Sequence, residues 1–267
     1  MWTTRPDATL VRDVSPVRRF MPFLSPRRNE SLVYYPQTVD VEAALAFLAR
    51  KNATRPPDAQ LTLFHLVLRA IALVLHERPR LNRFTAGGRL WQRDGVWLTF
   101  SAKKRLDEDA PIVTVKKRFD AHETLDEMCD RLLANLREGR SDRKSTADKE
   151  VGALLRLPPF AISLLLRLAR FADGIGLLPR AMIESDPMFC SVFVANLGSV
   201  GLEAGYHHLW EYGTCPVFCV VGRIQAGSDG RRRVVLKYSF DERIEDGFYA
   251  ARGLDLVRER LENPEKL

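Results

Sequence analysis

Near the end of the chain stands Tyr238-Ser-Phe-Asp-Glu-Arg-Ile-Glu-Asp-Gly-Phe-Tyr-Ala250, a strand running into a helix. Val234, Leu236, Tyr238 and Phe240 alternate with Val235, Lys237 and Ser239, the period of two that a half-buried strand requires. A polar turn follows, with Asp241, Glu242, Arg243, Glu245 and Asp246. Beyond Gly247, Phe248, Ala251, Leu254, Val257 and Leu261 recur at helical spacing. Asp246 sits where a carboxylate caps the first amides of that helix.

Upstream, the residues alternate between strand and helix patterns. Ser31–Val39 reads as a strand, with Pro36 marking an edge or a bulge. Asp40 is placed to cap a helix burying Val41, Ala44, Leu45 and Leu48, and Thr62 to cap a strongly periodic one from Leu63 to the break at Pro79. Val96–Ser101 and Ile112–Val115 read as strands. Thr124-Leu-Asp-Glu127 is a capping box ahead of a helix through Met128, Leu132 and Leu136. A polar run covers Gly139–Glu150. Residues 1–30, rich in Pro and Arg, are expected to form an extended arm.

The order of these elements resembles the acyltransferase component of 2-oxo-acid dehydrogenase complexes, a relative of chloramphenicol acetyltransferase, from about residue 10 onward. That family carries His-x-x-x-Asp-Gly at the strand-to-helix turn, commonly preceded by Asp and followed by Arg. Asp241, Arg243, Asp246 and Gly247 stand where the pattern wants them, and Glu242 occupies the histidine position. Pro79-Arg-Leu-Asn82 with Asp94 and the Val96 strand resembles the family's central sheet. Cys190–Gly201 resembles its Ser-Asn-Leu-Gly strand end, with Ala195 immediately before Asn196-Leu-Gly. The resemblance implies a single α/β domain of the α+β type over 1–267, with the chloramphenicol acetyltransferase-like fold: a mixed β-sheet flanked by helices. No lipoyl domain, peripheral-subunit-binding domain or internal repeat is read.

In the resembled family an acyl group passes between coenzyme A and a dihydrolipoyl thiol. Histidine takes the thiol proton, a Ser or Thr hydroxyl stabilises the oxyanion, and the site lies between two subunits of a trimer. Here Ala195 offers no hydroxyl, and losing one such donor typically costs about 10²–10³ in rate. A carboxylate at Glu242 faces roughly 2.7 kcal/mol more uphill proton transfer from a thiol than histidine does, unless burial raises its basicity. Asn196 or Ser199 is a substitute donor, and His207 or His208 an alternative base; interface packing beside Tyr206 and Trp210 is the plainer reading of the two histidines. Glu242 also reads as a turn carboxylate paired with Arg243, Arg252 or a neighbouring subunit.

These substitutions predict a structural or binding oligomer that has lost ordinary transfer. The alternative is an acyltransferase of altered mechanism acting on another acceptor, with a lipid-related one in view. The resemblance implies a homotrimer or larger cage, and binding of coenzyme A or acyl-coenzyme A, without a lipoyl group of the chain's own.

One segment departs from the family, an insertion at 141–189. Pro158-Pro159 opens a helix with Phe160, Leu164, Leu165, Leu168 and Phe171 on one face and Ser163, Arg167 and Arg170 on the other. Its uncharged run, Leu157–Leu166, is far shorter than the ~20 residues of a membrane span. Packing on the chain's own core or a neighbouring subunit, a lid over an acyl pocket, and a peripheral membrane contact through 159–171 are the readings open to it.

The 267 residues suffice for a sizeable core, and 46% hydrophobic with 28% charged residues is ordinary globular composition. A formal charge of +7 favours anionic partners in general. No Cys-x-x-Cys pair, zinc spacing or phosphate-cradling glycine loop occurs. Arg231–Arg233 lacks the interleaved aromatics of a nucleic-acid surface. Cys129, Cys190, Cys215 and Cys219 read as buried thiols, and with no apolar leader the expected location is cytoplasmic.

Overall fold

The computed structural model describes residues 4–103, 112–140, 152 and 154–267. Ten strands and seven α-helices are assigned among them. The main sheet is built on β10 (Arg232–Asp241), which pairs antiparallel with β2 (Leu32–Asp40) over nine positions, Leu32 opposite Asp241 and Asp40 opposite Arg233. On its other side β10 pairs antiparallel with β8 (Val217–Val221). β8 lies parallel to β7 (Val192–Asn196), and β7 parallel to β5 (Val96–Lys103). β6 (Ile112–Phe119) closes the far edge antiparallel to β5, and the short β9 (Gln225–Ala226) pairs with β10. β2 is an edge strand, so Pro36 removes no ladder hydrogen bond that a neighbour needs. A second, three-stranded antiparallel sheet joins β1 (Ala8–Leu10), β4 (Arg89–Arg93) and β3 (Arg83–Ala86).

One face of the main sheet carries the principal core. Val234, Leu236, Tyr238 and Phe240 of β10 face four helices: α2 (Glu42–Asn52), α3 (Leu63–Glu77), α4 (Leu125–Arg140) and α7 (Gly247–Glu262). Leu66, Val67, Leu68, Ala70 and Ala72 of α3 are fully buried. Thr62 and His65 cap α3 reciprocally, the Thr62 amide donating to the His65 Nδ1 at 3.0 Å. Thr124 and Glu127 do the same at the start of α4. Asp40 accepts the Glu42 amide at 3.1 Å, though Val41 holds the cap position itself.

The other face is thinly covered. Phe193, Phe218 and Val220 lie under the irregular segment 204–215, with Leu209 buried and Trp210 half-buried. Residues 4–30 are not the extended arm expected: β1 pairs with β4, and α1 (Pro16–Leu24) begins at a Ser15 cap that accepts the Arg18 amide. The described part of the insertion holds α5 (Pro159–Gly174) and α6 (Arg180–Ser185); 141–150 lies outside the described residues.

Candidate functional site

The turn between β10 and α7 is held by buried charge. Asp241 is fully buried and takes the Arg243 guanidinium in a two-pronged pair, Oδ1 to Nε at 2.8 Å and Oδ2 to Nη2 at 2.7 Å. Arg243 also donates to the Ser25 and Pro26 carbonyls, and Arg28 stands 3.8 Å from Asp241. Arg28 in turn donates to the Trp210 and Gly213 carbonyls. Glu245, buried, takes Arg83 at 3.0 Å and Arg80 at 3.3 Å. Asp246 caps α7, accepting the Tyr249 amide at 2.9 Å, and that bond draws its carboxyl below the usual range. The expected capping role of Asp246 is therefore observed.

Glu242 stands apart from this network. It is exposed, and its carboxylate accepts no hydrogen bond and joins no ion pair among the described residues. The expected pairing with Arg243 or Arg252 is not found, because Arg243 is committed to Asp241. Only the Glu242 backbone is tied down: its amide donates to the Ser31 carbonyl at 3.0 Å, and its carbonyl accepts from Arg18 of α1.

Tyr35, which sequence reading passed over, belongs to the same place. A Cβ added at Gly247 would lie 3.2 Å from its hydroxyl. Partial burial, then the charges of Glu242 and Asp246, raise the phenol pKa, keeping it protonated. Nothing local marks Tyr35. It arrives through the β2–β10 register, where Tyr35 faces Tyr238.

Ala195 and Asn196 end β7 at the other end of the sheet. Asn196 Oδ1 accepts the Ser199 amide at 3.2 Å, and the Ser199 hydroxyl donates to the Asn196 carbonyl at 2.7 Å. Ser199 therefore spends its proton on the turn, while Asn196 Nδ2 has no acceptor among the described residues. Ala195 presents its methyl to the thinly covered face, beside Phe193 and Leu197.

The register fixes how far apart the two motif positions lie. Ala195 is level with Val220 and Val220 with Lys237, five residues short of Glu242 along β10. Five residues at about 3.4 Å, and two strand spacings of about 4.8 Å, separate Ala195 from Glu242 by roughly 20 Å. One chain does not bring them together.

His207 and His208 lie over the thinly covered face. His207 is half-buried and stacked on Phe218, ring centroids 4.1 Å apart, with Trp210 at 5.0 Å. Its Nδ1 is 2.7 Å from the His208 carbonyl. That carbonyl only accepts, so the proton is on Nδ1 and the lone pair on Nε2. Burial lowers the His207 pKa. His208 is exposed and stacks on His207.

A polar cavity of about 180 Å³ lies between α1, α5 and the Gly87–Gly88 turn. Arg28 and Arg243 line it but are committed to Asp241 and backbone carbonyls, and Asp173 and Glu211 add negative charge. Arg170 lines it as well, and Asp173 is itself bound by Arg5, so the lining is polar and of mixed charge rather than an apolar channel for an acyl chain. Arg231, Arg232 and Arg233 pair with Asp40, Glu42 and Asp229, which leaves no open basic surface there. All four cysteines are buried free thiols, and no group of three potential metal ligands occurs among the described residues.

No protein-family model matches the chain, and no curated protein matches it in sequence. Solved structures do. A truncated catalytic core of the 2-oxoacid dehydrogenase multienzyme complex from Thermoplasma acidophilum superposes with a TM-score of 0.62 at 15% identity, over 95% of this chain and 98% of that one. The cubic core of a pyruvate dehydrogenase multienzyme complex gives 0.60 at 19%, over 97% and 94%. A chloramphenicol acetyltransferase gives 0.58 at 13%, over 96% and 98%. The chain thus has the chloramphenicol acetyltransferase-like fold, as its motif order led one to expect.

Proposed function

We propose that this protein is an acyltransferase-fold subunit that has lost ordinary coenzyme A-to-lipoyl transfer and acts as a structural or binding oligomer. The observation that carries the reading is the pair Glu242 and Ala195, roughly 20 Å apart at opposite ends of one sheet. A site joining those ends requires a second copy, and it would set a carboxylate against a methyl group. The residues that brace the turn, Asp241, Arg243 and Asp246, keep their partners regardless.

A homotrimer is the assembly proposed, with a larger cage built from it as the extension. Exposed apolar residues lie near both ends: Phe248 beside the turn, and Val200, Leu202 and Tyr206 beyond the β7 strand end. Among the described residues, Arg28 and Arg243 in the cavity lining are already committed, so retained binding of acyl-coenzyme A is the less favoured part of the family inheritance. The buried free thiols support a reducing, cytoplasmic setting.

A second reading rests on His207, whose fixed tautomer leaves Nε2 as an acceptor on the same face as Ala195. It would serve as base in an acyl transfer of altered mechanism, with Asn196 Nδ2 as the oxyanion donor. The deciding experiment is acetyl transfer from acetyl-coenzyme A to dihydrolipoamide by the native protein, Glu242→Gln and His207→Gln, beside mass determination by light scattering. A trimer mass with no transfer above buffer is expected. Robust transfer that collapses in Glu242→Gln overturns the loss of function, and collapse in His207→Gln establishes the second reading.

A further inference from the structure

Helix α5 is oriented opposite to a core helix. At about 100° per residue, Ala161, Ile162, Ala169 and Ala172 form the side turned to the protein, and each is half-buried. Its outward side carries Phe160, Leu164, Leu168 and Phe171, exposed at 75, 55, 55 and 65%. The expected packing of this apolar face on the chain's own core is not what the structure has.

The helix is nevertheless firmly anchored at its C-terminal end. Asp173 is buried and bound by Arg5 at 2.7 Å, and a Cβ added at Gly87 would strike the Gly174 carbonyl at 1.9 Å. Helix α1 reaches the same turn, its Phe23 ring 3.1 Å from a Cβ added at Gly88. Phe20, Phe23 and Leu24 are likewise exposed at 56–66%. Two amphipathic helices therefore flank one two-glycine turn, each with large apolar side chains in solvent.

Charge identifies the occupant. Arg167 and Arg170 lie along one edge of the α5 stripe with Ser163 between them, Arg156 precedes the helix by three residues, and none of the three has an ion-pair partner among the described residues. From Leu154 to Ala172 the sequence contains no acid. A two-fold contact of this face with itself would set arginine against arginine with no carboxylate between them. An apolar stripe whose exposed charged neighbours on the helix are all cations matches the boundary between acyl chains and anionic headgroups, where Arg stems stay apolar and guanidinium groups reach phosphate. Spanning is ruled out by the two arginines on the helix and its length of about 24 Å.

We propose that the outward face of α5, with α1 beside it, docks this protein on an anionic lipid surface. The proposal is independent of whether acyl transfer is retained. The test uses the full chain with sedimented vesicles of phosphatidylcholine alone or mixed with phosphatidylglycerol, at low and high salt. One variant carries Phe160→Ser, Leu164→Ser and Phe171→Ser; the other carries Arg167→Glu and Arg170→Glu. Light scattering follows the oligomer mass of each, and all five side chains are exposed, so folding is not at stake.

The expected result is binding to the anionic vesicles, weakened by salt and reduced about tenfold or more in each variant. No binding to anionic vesicles overturns the proposal. So does vesicle binding that both variants leave unchanged. A change of oligomer mass in the variants, with vesicle binding unaffected, assigns the face to another copy of the chain instead.

Discussion

Helices α3 and α5 have comparable apolar stripes and opposite fates. α3 buries its stripe against the sheet, with Leu66 and Leu68 fully shielded and even Arg69 and His65 drawn in. α5 turns its stripe outward and rests on alanines. Among the described residues, Pro57–Glu77 is by length and composition apolar enough to cross a membrane, yet most of it is core. Amphipathic periodicity announces an apolar face; it does not say what covers it.

The comparison is open to direct attack. Leu66→Ala in α3 empties a closed site and should lower unfolding stability by about 2–5 kcal/mol in a denaturant titration. A loss under 1 kcal/mol would mean α3 is not the core element the packing makes it. Asp173→Ala removes the α5 anchor but leaves Arg5 its second partner, Asp7, at 2.7 Å. The expected cost is about 1–3 kcal/mol, below the full penalty of a broken buried pair, with faster proteolysis within 154–172 as the local readout.

His65 gives α3 a pH signature. Burial, helped by Arg55, pushes its pKa from 6.5 down to about 4. Its contribution is complete above 6.5 and is lost as pH falls toward about 4, because the unfolded chain binds the proton first. From pH 7 to 5 this should cost about 1–2 kcal/mol, and the slope should flatten in His65→Gln. Leu164→Ala, on the outward side of α5, should change stability by less than about 0.5 kcal/mol. A loss as large as that of Leu66→Ala would place α5 in a core and end the contrast.

The two motif ends show the same contrast at smaller scale. Within the β10–α7 turn, Asp241 and Arg243 lock each other, while Glu242 between them has only its backbone held. Neighbouring side chains in the turn thus meet opposite environments, and its braces hold whatever side chain stands at 242. The cap at Asp246 was legible because a helix start leaves amides that a carboxylate two or three residues earlier can reach. Tyr35 and Arg18 were not legible, since both come to the turn from more than 200 residues away.

The sequence by itself determined the order of the main strands and helices from Leu32 onward, though not β1 or α1, and the caps at Thr62, Thr124 and Asp246. Each of these depends on neighbours within a few residues, where hydrogen-bond reach and side-chain periodicity act. Only the tertiary structure decided that Ala195 and Glu242 lie at opposite ends of one sheet, that His207 rather than His208 holds a fixed tautomer, and that the apolar face of α5 meets solvent. Those depend on strand register and on which surfaces are already occupied, and local periodicity carries neither.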